Sequence, residues 1–271
     1  MPLAASLARM TEERPEATYG DRIAEIYDER YADKFADDTA ATVAFLKELA
    51  GPGPALELGI GTGRVAIPLS EAGVEVHGVD ASEATVARMR AKPGGDRIPV
   101  TMANFADFAL ETKYRVVYVV FNTFFGLLTQ EEQVSGFRAV ARHLDDGGVF
   151  VMQAFVPDVT RFDVHNQRVS TESMTNEDVT LEVSEHDPFG QRTDTAIVIL
   201  SESGTRIYPV KLRYAYPSEL DLMARLAGLR LRERWAGWDR SPYPGPAWNH
   251  VSVWDRASQG VQDSGPHATD G

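Results

Sequence analysis

Cysteine is absent from the 271 residues. That excludes disulfides, thiolate metal sites and cysteine nucleophiles, and it fits a reducing, cytoplasmic setting. Positive charge is scarce as well: 27 Lys and Arg stand against 40 Asp and Glu, a formal net charge of −13. Phosphate backbones attract basic faces, so this balance argues against a nucleic-acid partner. The Arg-rich run Arg230, Arg232, Arg234 alternates and reads as the solvated face of one strand. No apolar run is long enough to span a membrane, and the opening MPLAASLARM lacks the apolar stretch of a signal peptide. Internal repeats are missing too. No carboxylate cluster with metal-ligand spacing follows the fourth strand predicted below, so a metal is not expected.

What is present is ordinary in bulk and specific in one stretch. A hydrophobic content of 43% and a charged content of 25% suit a globular chain with a sizeable core. Pro54 to Ala66, PALELGIGTGRVA, begins as a short buried strand up to Leu58. Gly59, Gly61 and Gly63 then alternate, and the pattern turns helical. Glycine tolerates positive φ and lets another molecule approach the backbone, so a strand, Gly-rich turn and helix in this order make a nucleotide-cofactor site.

Around that loop the chain alternates. Helical spacing runs from about Tyr19 to Ala50 and is stopped by Gly51 to Pro54. Val74–Asp80 is a second strand, and Ser82–Lys92 a helix with Ser82 as its N-cap. Ile98–Ala103 is a third strand, Arg115–Phe121 a central fourth, and Glu131–Leu144 a helix. A turn at Asp145–Gly148 precedes a fifth strand that ends at Pro157. This order predicts a mostly parallel α/β sheet. After Pro157 the period becomes two: Gln167–Met174, Val179–His186, Thr193–Leu200 and Arg206–Tyr214 read as antiparallel strands with one wet face. Pro217–Ala227 is again helical, followed by strands Leu229–Trp235 and His250–Trp254. The predicted organisation is a helical cap over 1–50, a core over 51–158, an inserted antiparallel sheet over 159–216, core completion over 217–256 and a disordered tail over 257–271. The inserted sheet either covers a pocket or pairs across a two-fold axis to make a homodimer.

Two cofactors compete for the loop. Gly61 to Ala66 satisfies the dinucleotide fingerprint, with Asp80 placed for a ribose, so a nicotinamide-dependent oxidoreductase is a real rival. Three features favour another donor. Glu57 at the mouth of the loop repels a pyrophosphate but suits an amino-acid ammonium. Asn104 and Phe105 suit an adenine edge and face. Phe121, Asn122 and Thr123 place polar groups where the fourth strand ends, and open α/β sheets bind ligands beyond the carboxyl ends of their strands.

With these motifs the chain resembles a class I S-adenosylmethionine (SAM)-dependent methyltransferase from Tyr19 to about Arg256. The resemblance implies a Rossmann-like, seven-stranded, mostly parallel sheet with helices on both faces, plus the inserted antiparallel sheet. It also implies that Glu57, Gly59, Ile60, Gly61 and Gly63 hold the methionine part of SAM. Asp80 and Ala81 would hold the ribose, Asn104 and Phe105 the adenine, and Phe121 with Asn122 would border the reactive methyl. The N-terminal helix, the inserted sheet and the HVSVW strand are similar to actinobacterial small-molecule enzymes, amino-sugar N-methyltransferases among them. Those enzymes commonly carry a His shortly after the fourth strand, where this chain has Gly126; that leaves the acceptor class open.

Methyl transfer needs alignment and exclusion of water more than acid–base chemistry when the acceptor is an amine. Tyr27 and Tyr31 share a helical face and are candidates for the acceptor side, Tyr27 first; lid packing is the competing account. Of the histidines, His77, His143, His165 and His186 read as structural, and His250 is the candidate base. Trp235, Trp238, Tyr243 and Trp248 read as packing. The expected activity is N-methylation of a small acceptor such as a nucleotide-linked amino sugar. O-methylation of a hydroxyl and a non-catalytic SAM-binding role are the alternatives.

Overall fold

The computed structural model describes residues 36–244 and 248–257. The predicted lid before Ala36 and the predicted tail lie outside that range. Helix α1 (Ala36–Ala50) leads into β1 (Ala55–Leu58), whose four residues are all buried. Then come α2 (Ala66–Glu71), β2 (Val76–Asp80), α3 (Glu83–Arg90), β3 (Val100–Met102) and β4 (Tyr114–Val119). Helix α4 (Gln130–His143) feeds β5 (Leu144–Phe155). Strands β6 (Gln167–Met174), β7 (Asp178–Asp187), β8 (Arg192–Ser201) and β9 (Gly204–Arg213) follow, before α5 (Pro217–Leu226), β10 (Leu229–Trp235) and β11 (Asn249–Arg256).

The main sheet has seven strands in the order β10-β11-β5-β4-β1-β2-β3. The strands β1 to β5 are parallel, and β11 and β10 close one edge antiparallel. Strand β4 alternates between two cores. Val117 and Val119 join Phe124, Phe137 and Leu220 on the α4/α5 side. Val116 and Tyr118 join Phe45, Leu69 and Met89 on the α1/α2/α3 side. A strand covered on both faces has no polar positions to alternate with, which is why β4 beyond Arg115 is a continuous apolar run, VVYV.

The second sheet is the antiparallel meander β6-β7-β8-β9. Buried Arg213 at the end of β9 ties it to the core, with Nη2 2.8 Å from Glu219 Oε1 and Nη1 2.6 Å from Gln133 Oε1. Gln133 donates in turn to the Leu127 and Arg213 carbonyls. Breaking a buried pair of this kind costs about 3–5 kcal/mol.

Two local expectations change. A register shift between Leu231 and Glu233 breaks the alternation of the arginine run. Arg230 and Arg232 stay half exposed, but the Arg234 side chain is 11% exposed and pairs with Asp221 at 2.7 Å. The predicted turn at Asp145–Gly148 is absorbed into the start of β5, where the pairing with β4 is irregular and Gly147 takes φ +83°. His143, at the end of α4, is a buried neutral linker. Its Nδ1 donates to the Ala139 carbonyl and Nε2 accepts from Leu110 N, so burial holds its pKa down. Ser82 does cap α3, accepting from Thr85 N.

Candidate active site

The glycine loop leaves β1 with Gly59 N and Ile60 N both donating to the Val79 carbonyl, 2.7 and 3.2 Å away. Gly59, Gly61 and Gly63 take φ of +68°, +56° and +78°, which L-residues with a Cβ adopt at a cost. Their reasons differ. A Cβ on Gly59 would stand 2.4 Å from Thr123 Cγ2, and one on Gly63 would stand 2.6 Å from Met89 Cγ. Among the described residues a Cβ on Gly61 meets nothing nearer than 3.9 Å, so they leave that side of the loop open. The Ile60 side chain turns inward and fills the space left by Gly78.

Asp80, at the carboxyl end of β2, braces this loop. Its Oδ2 accepts from Gly61 N at 2.7 Å and its Oδ1 from Ser82 N at 2.8 Å. Ala81 beside it is exposed. Beyond β3, Asn104 is exposed and its Oδ1 accepts from Ala106 N, while Phe105 lies half-buried with Cε1 3.7 Å from the Cβ position of Gly59.

Glu57 is not at the mouth of the loop. Its side chain points to the α1/α2 side of β1, is 3% exposed, and accepts a 3.0 Å hydrogen bond from the Tyr118 hydroxyl. Burial pushes the carboxyl up to about 8, against the opposing effects of Tyr118 and Arg64. In this state it holds its proton at neutral pH.

After β4 the backbone does something unusual. Phe121 and Asn122 take φ of +54° and +64°, two consecutive non-glycine residues in the left-handed region. Strain of this sort persists where surroundings impose it and gathers at functional sites. Here Phe121 N donates to Gln153 Oε1 at 3.1 Å, and Asn122 Oδ1 accepts from Phe155 N at 2.7 Å. The turn borders a cavity of about 240 Å³ lined by Asp38, Phe121, Asn122, Gln153 and Asn249. Gly126, four residues on, is exposed, and a Cβ there would meet nothing within 4 Å among the described residues.

His250 sits at the same end of the sheet, opposite Ala154 of β5, with no exposed surface. Its Nδ1 lies 2.8 Å from Ser252 Oγ, which accepts from Arg234 Nε at 2.7 Å. Giving the serine proton to Nδ1 satisfies the hydroxyl and leaves the ring proton on Nε2. Nε2 is buried and without a hydrogen-bond partner. Burial, with Arg234 alongside, pushes the imidazole down to about 3, so the ring is neutral and a donor at Nε2. His186 is occupied by Tyr214 and stacks on Phe162, and His77 is shared between Tyr114 and Glu75.

The fold therefore brings the glycine loop, Asp80, Phe105, Phe121 and Asn122 to one end of the sheet, with His250 buried nearby. Asp38, Gln153 and Asn249 join them and carry no motif in the sequence. Residues 55–148 match a family model described as a methyltransferase domain. The chain is 42% identical to the CcbJ methyltransferase of Streptomyces caelestis, whose structure covers 90% of this chain and is covered entirely, with a TM-score of 0.83. The chain belongs to the SAM-dependent methyltransferases. The enzyme is also 26% identical over 201 residues to a cypemycin N-terminal methyltransferase from a Streptomyces species, spanning 74% of this chain and 82% of that protein. A sugar N-methyltransferase from Streptoalloteichus, 22% identical with a TM-score of 0.61 over 84% of this chain and 92% of its own, shares the fold. No helix among the described residues is long and apolar enough to cross a membrane.

Proposed function

We propose that the enzyme transfers the methyl of SAM to an amine of a small natural-product acceptor, a nucleotide-linked amino sugar being the first candidate. The observation that carries this reading is the paired left-handed turn at Phe121 and Asn122, which adjoins the glycine loop through Thr123 and opens on a polar cavity. The residues fit the cofactor on their own terms: the open side of Gly61 admits a ligand, and Asp80 stands at the end of β2 with its loop already fixed.

When bound, SAM would supply an electrophilic sulfonium methyl for in-line attack by an amine lone pair, with the thioether as leaving group. This chain's residues bind and orient. In our reading Gly59, Ile60, Gly61 and Gly63 offer backbone to the methionine part, and Glu57, neutral and held by Tyr118, supports the loop from below. Asp80 and Ala81 take the ribose; Asn104 offers its amide to the adenine edge and Phe105 its face. Phe121 and Asn122 border the methyl. Tyr27 and Tyr31, outside the described residues, remain proposed for the acceptor side, Tyr27 first. His250, expected as the base, is fully buried and held neutral far below the usual imidazole range, so in our reading it has no base role. Alignment of this kind contributes about 7–11 kcal/mol in well-oriented reactions.

Calorimetry with S-adenosylhomocysteine and with NADH tests the cofactor, and methyl transfer to paired amino and hydroxy acceptors tests the product. The thioether is expected to bind and NADH not, and Asp80→Ala should weaken thioether binding at least tenfold. Binding of NADH alone, or an unchanged affinity in the variant, overturns the assignment of the loop. Transfer to hydroxyls only overturns the amine.

A further inference from the structure

The cavity at the strand ends has a chemical sense that the methyl-donor residues do not use. The sheet order runs β11-β5-β4-β1-β2-β3. The residues assigned to SAM lie along β4, β1, β2 and β3, so Gln153 of β5 and Asn249 of β11 stand on the far side of β4 from the ribose and adenine positions. Asp38, in the first turn of α1, completes the lining. It is the single charged residue among the described lining residues, and no described residue bonds to its carboxylate.

Two amides that line the cavity with Asp38, those of Gln153 and Asn122, are not free to turn either way. Gln153 Oε1 is taken by Phe121 N, and Asn122 Oδ1 by Phe155 N. Each oxygen is thus committed to backbone, and each side chain has its NH₂ left to donate. The wall therefore shows one anionic acceptor and two oriented neutral donors. An ammonium group meets Asp38, and an oxygen acceptor a few bonds away meets the amides. A carboxylate or phosphate at the Asp38 position would be repelled.

We propose that Asp38 is the acceptor-recognition carboxylate: the acceptor enters as an aliphatic ammonium, read by Asp38, with a hydroxyl or carbonyl oxygen near it, read by Gln153 and Asn122. This rests on the reading of the enzyme as an amine methyltransferase and adds how the amine is chosen. Asp38 acts in binding only: the ammonium gives up one proton to solvent before its lone pair forms the N–CH3 bond, and the C–S bond breaks with its electron pair left on the thioether.

The test uses the full chain saturated with S-adenosylhomocysteine. The probes are a nucleotide-linked amino sugar and a dipeptide with a free α-amine, each beside its N-acetylated counterpart. Calorimetry is expected to show binding of a free amine and at least tenfold weaker binding of its acetylated form. In Asp38→Asn the amine should bind at least tenfold more weakly, while thioether affinity, which also reports folding, changes less than twofold; turnover should show the loss in KM. Equal loss of amine and thioether binding places Asp38 on the cofactor and overturns the proposal. So does unchanged amine affinity in the variant, equal binding of the acetylated probes, or failure of both amines to bind. Failure of the unaltered enzyme to bind the thioether overturns the methyltransferase site itself, which separates the two readings.

Discussion

Glu57 shows what burial does to a motif residue. An acid at the start of a glycine loop invites a picture of a free carboxylate facing a ligand, yet here the side chain is packed under the loop against Tyr118. The sign of its contribution to stability follows from its pKa. The native carboxyl holds its proton up to about 8, whereas an unfolded one releases it near the ordinary 4.5. Between those values the native state binds more protons, so this group's stabilisation is complete below 4.5 and is lost as pH rises through about 8. Glu57→Gln cannot ionise and escapes that loss. Thermal melts of the ligand-free protein should therefore show the variant gaining on the unaltered enzyme from pH 5 to pH 9. A difference that stays constant across this range would mean that Glu57 is ionised in the native state.

At the scale of elements, the glycine loop separates two demands that the sequence shows as one. Gly59 needs positive φ and also lacks room, since Thr123 Cγ2 occupies its Cβ position; Gly61 needs only the φ. A left-handed L-residue costs about 1–2 kcal/mol by itself. Gly59→Ala adds a clash with the Thr123 side chain in the turn after β4, so it should lower Tm more than Gly61→Ala does. Affinity should run the other way for Gly61→Ala. Its methyl projects into the open side, and thioether binding should drop at least tenfold although the fold survives. If Gly61→Ala binds the thioether normally, the open side does not receive the cofactor. The strands around this loop were legible because a doubly covered strand is a run of apolar residues and a half-covered one alternates; β6 to β9 fall within two residues of expectation at each end. Arg234 was misread because one register shift reverses which face an alternating residue takes. Asp38, Gln153 and Asn249 could not be grouped from spacing, since they meet only when α1, β5 and β11 converge. The left-handed pair at Phe121 and Asn122 was equally hidden, as neither residue is glycine.

For the whole molecule, the inserted sheet poses the remaining question. Direct cross-strand pairing puts Val169 opposite Val183, Met174 opposite Val179, and Val198 between Leu181 and Ile207, so these side chains share one face. Val169 is 67% exposed, Met174 76% and Ile207 45%. A polar rim with the Lys211–Asp194 pair borders them. An exposed apolar area rimmed by polar residues marks an interaction surface, and Arg213 holds the sheet to the core at the β9 end so that this face is presented in a fixed direction. We propose that two copies meet here in an isologous dimer, where the same residues serve both partners and a stable contact buries roughly 1,600 Å² in total. Light scattering at micromolar concentration should give the dimer mass. Replacing both Val169 and Met174 with Lys should give the monomer, because charges would then face their own copies across the two-fold axis, with thioether affinity unchanged since neither residue lines the site. A monomer for the unaltered enzyme refutes the dimer. A dimer that survives both lysines moves the contact to another surface and leaves this face as a cover for the acceptor.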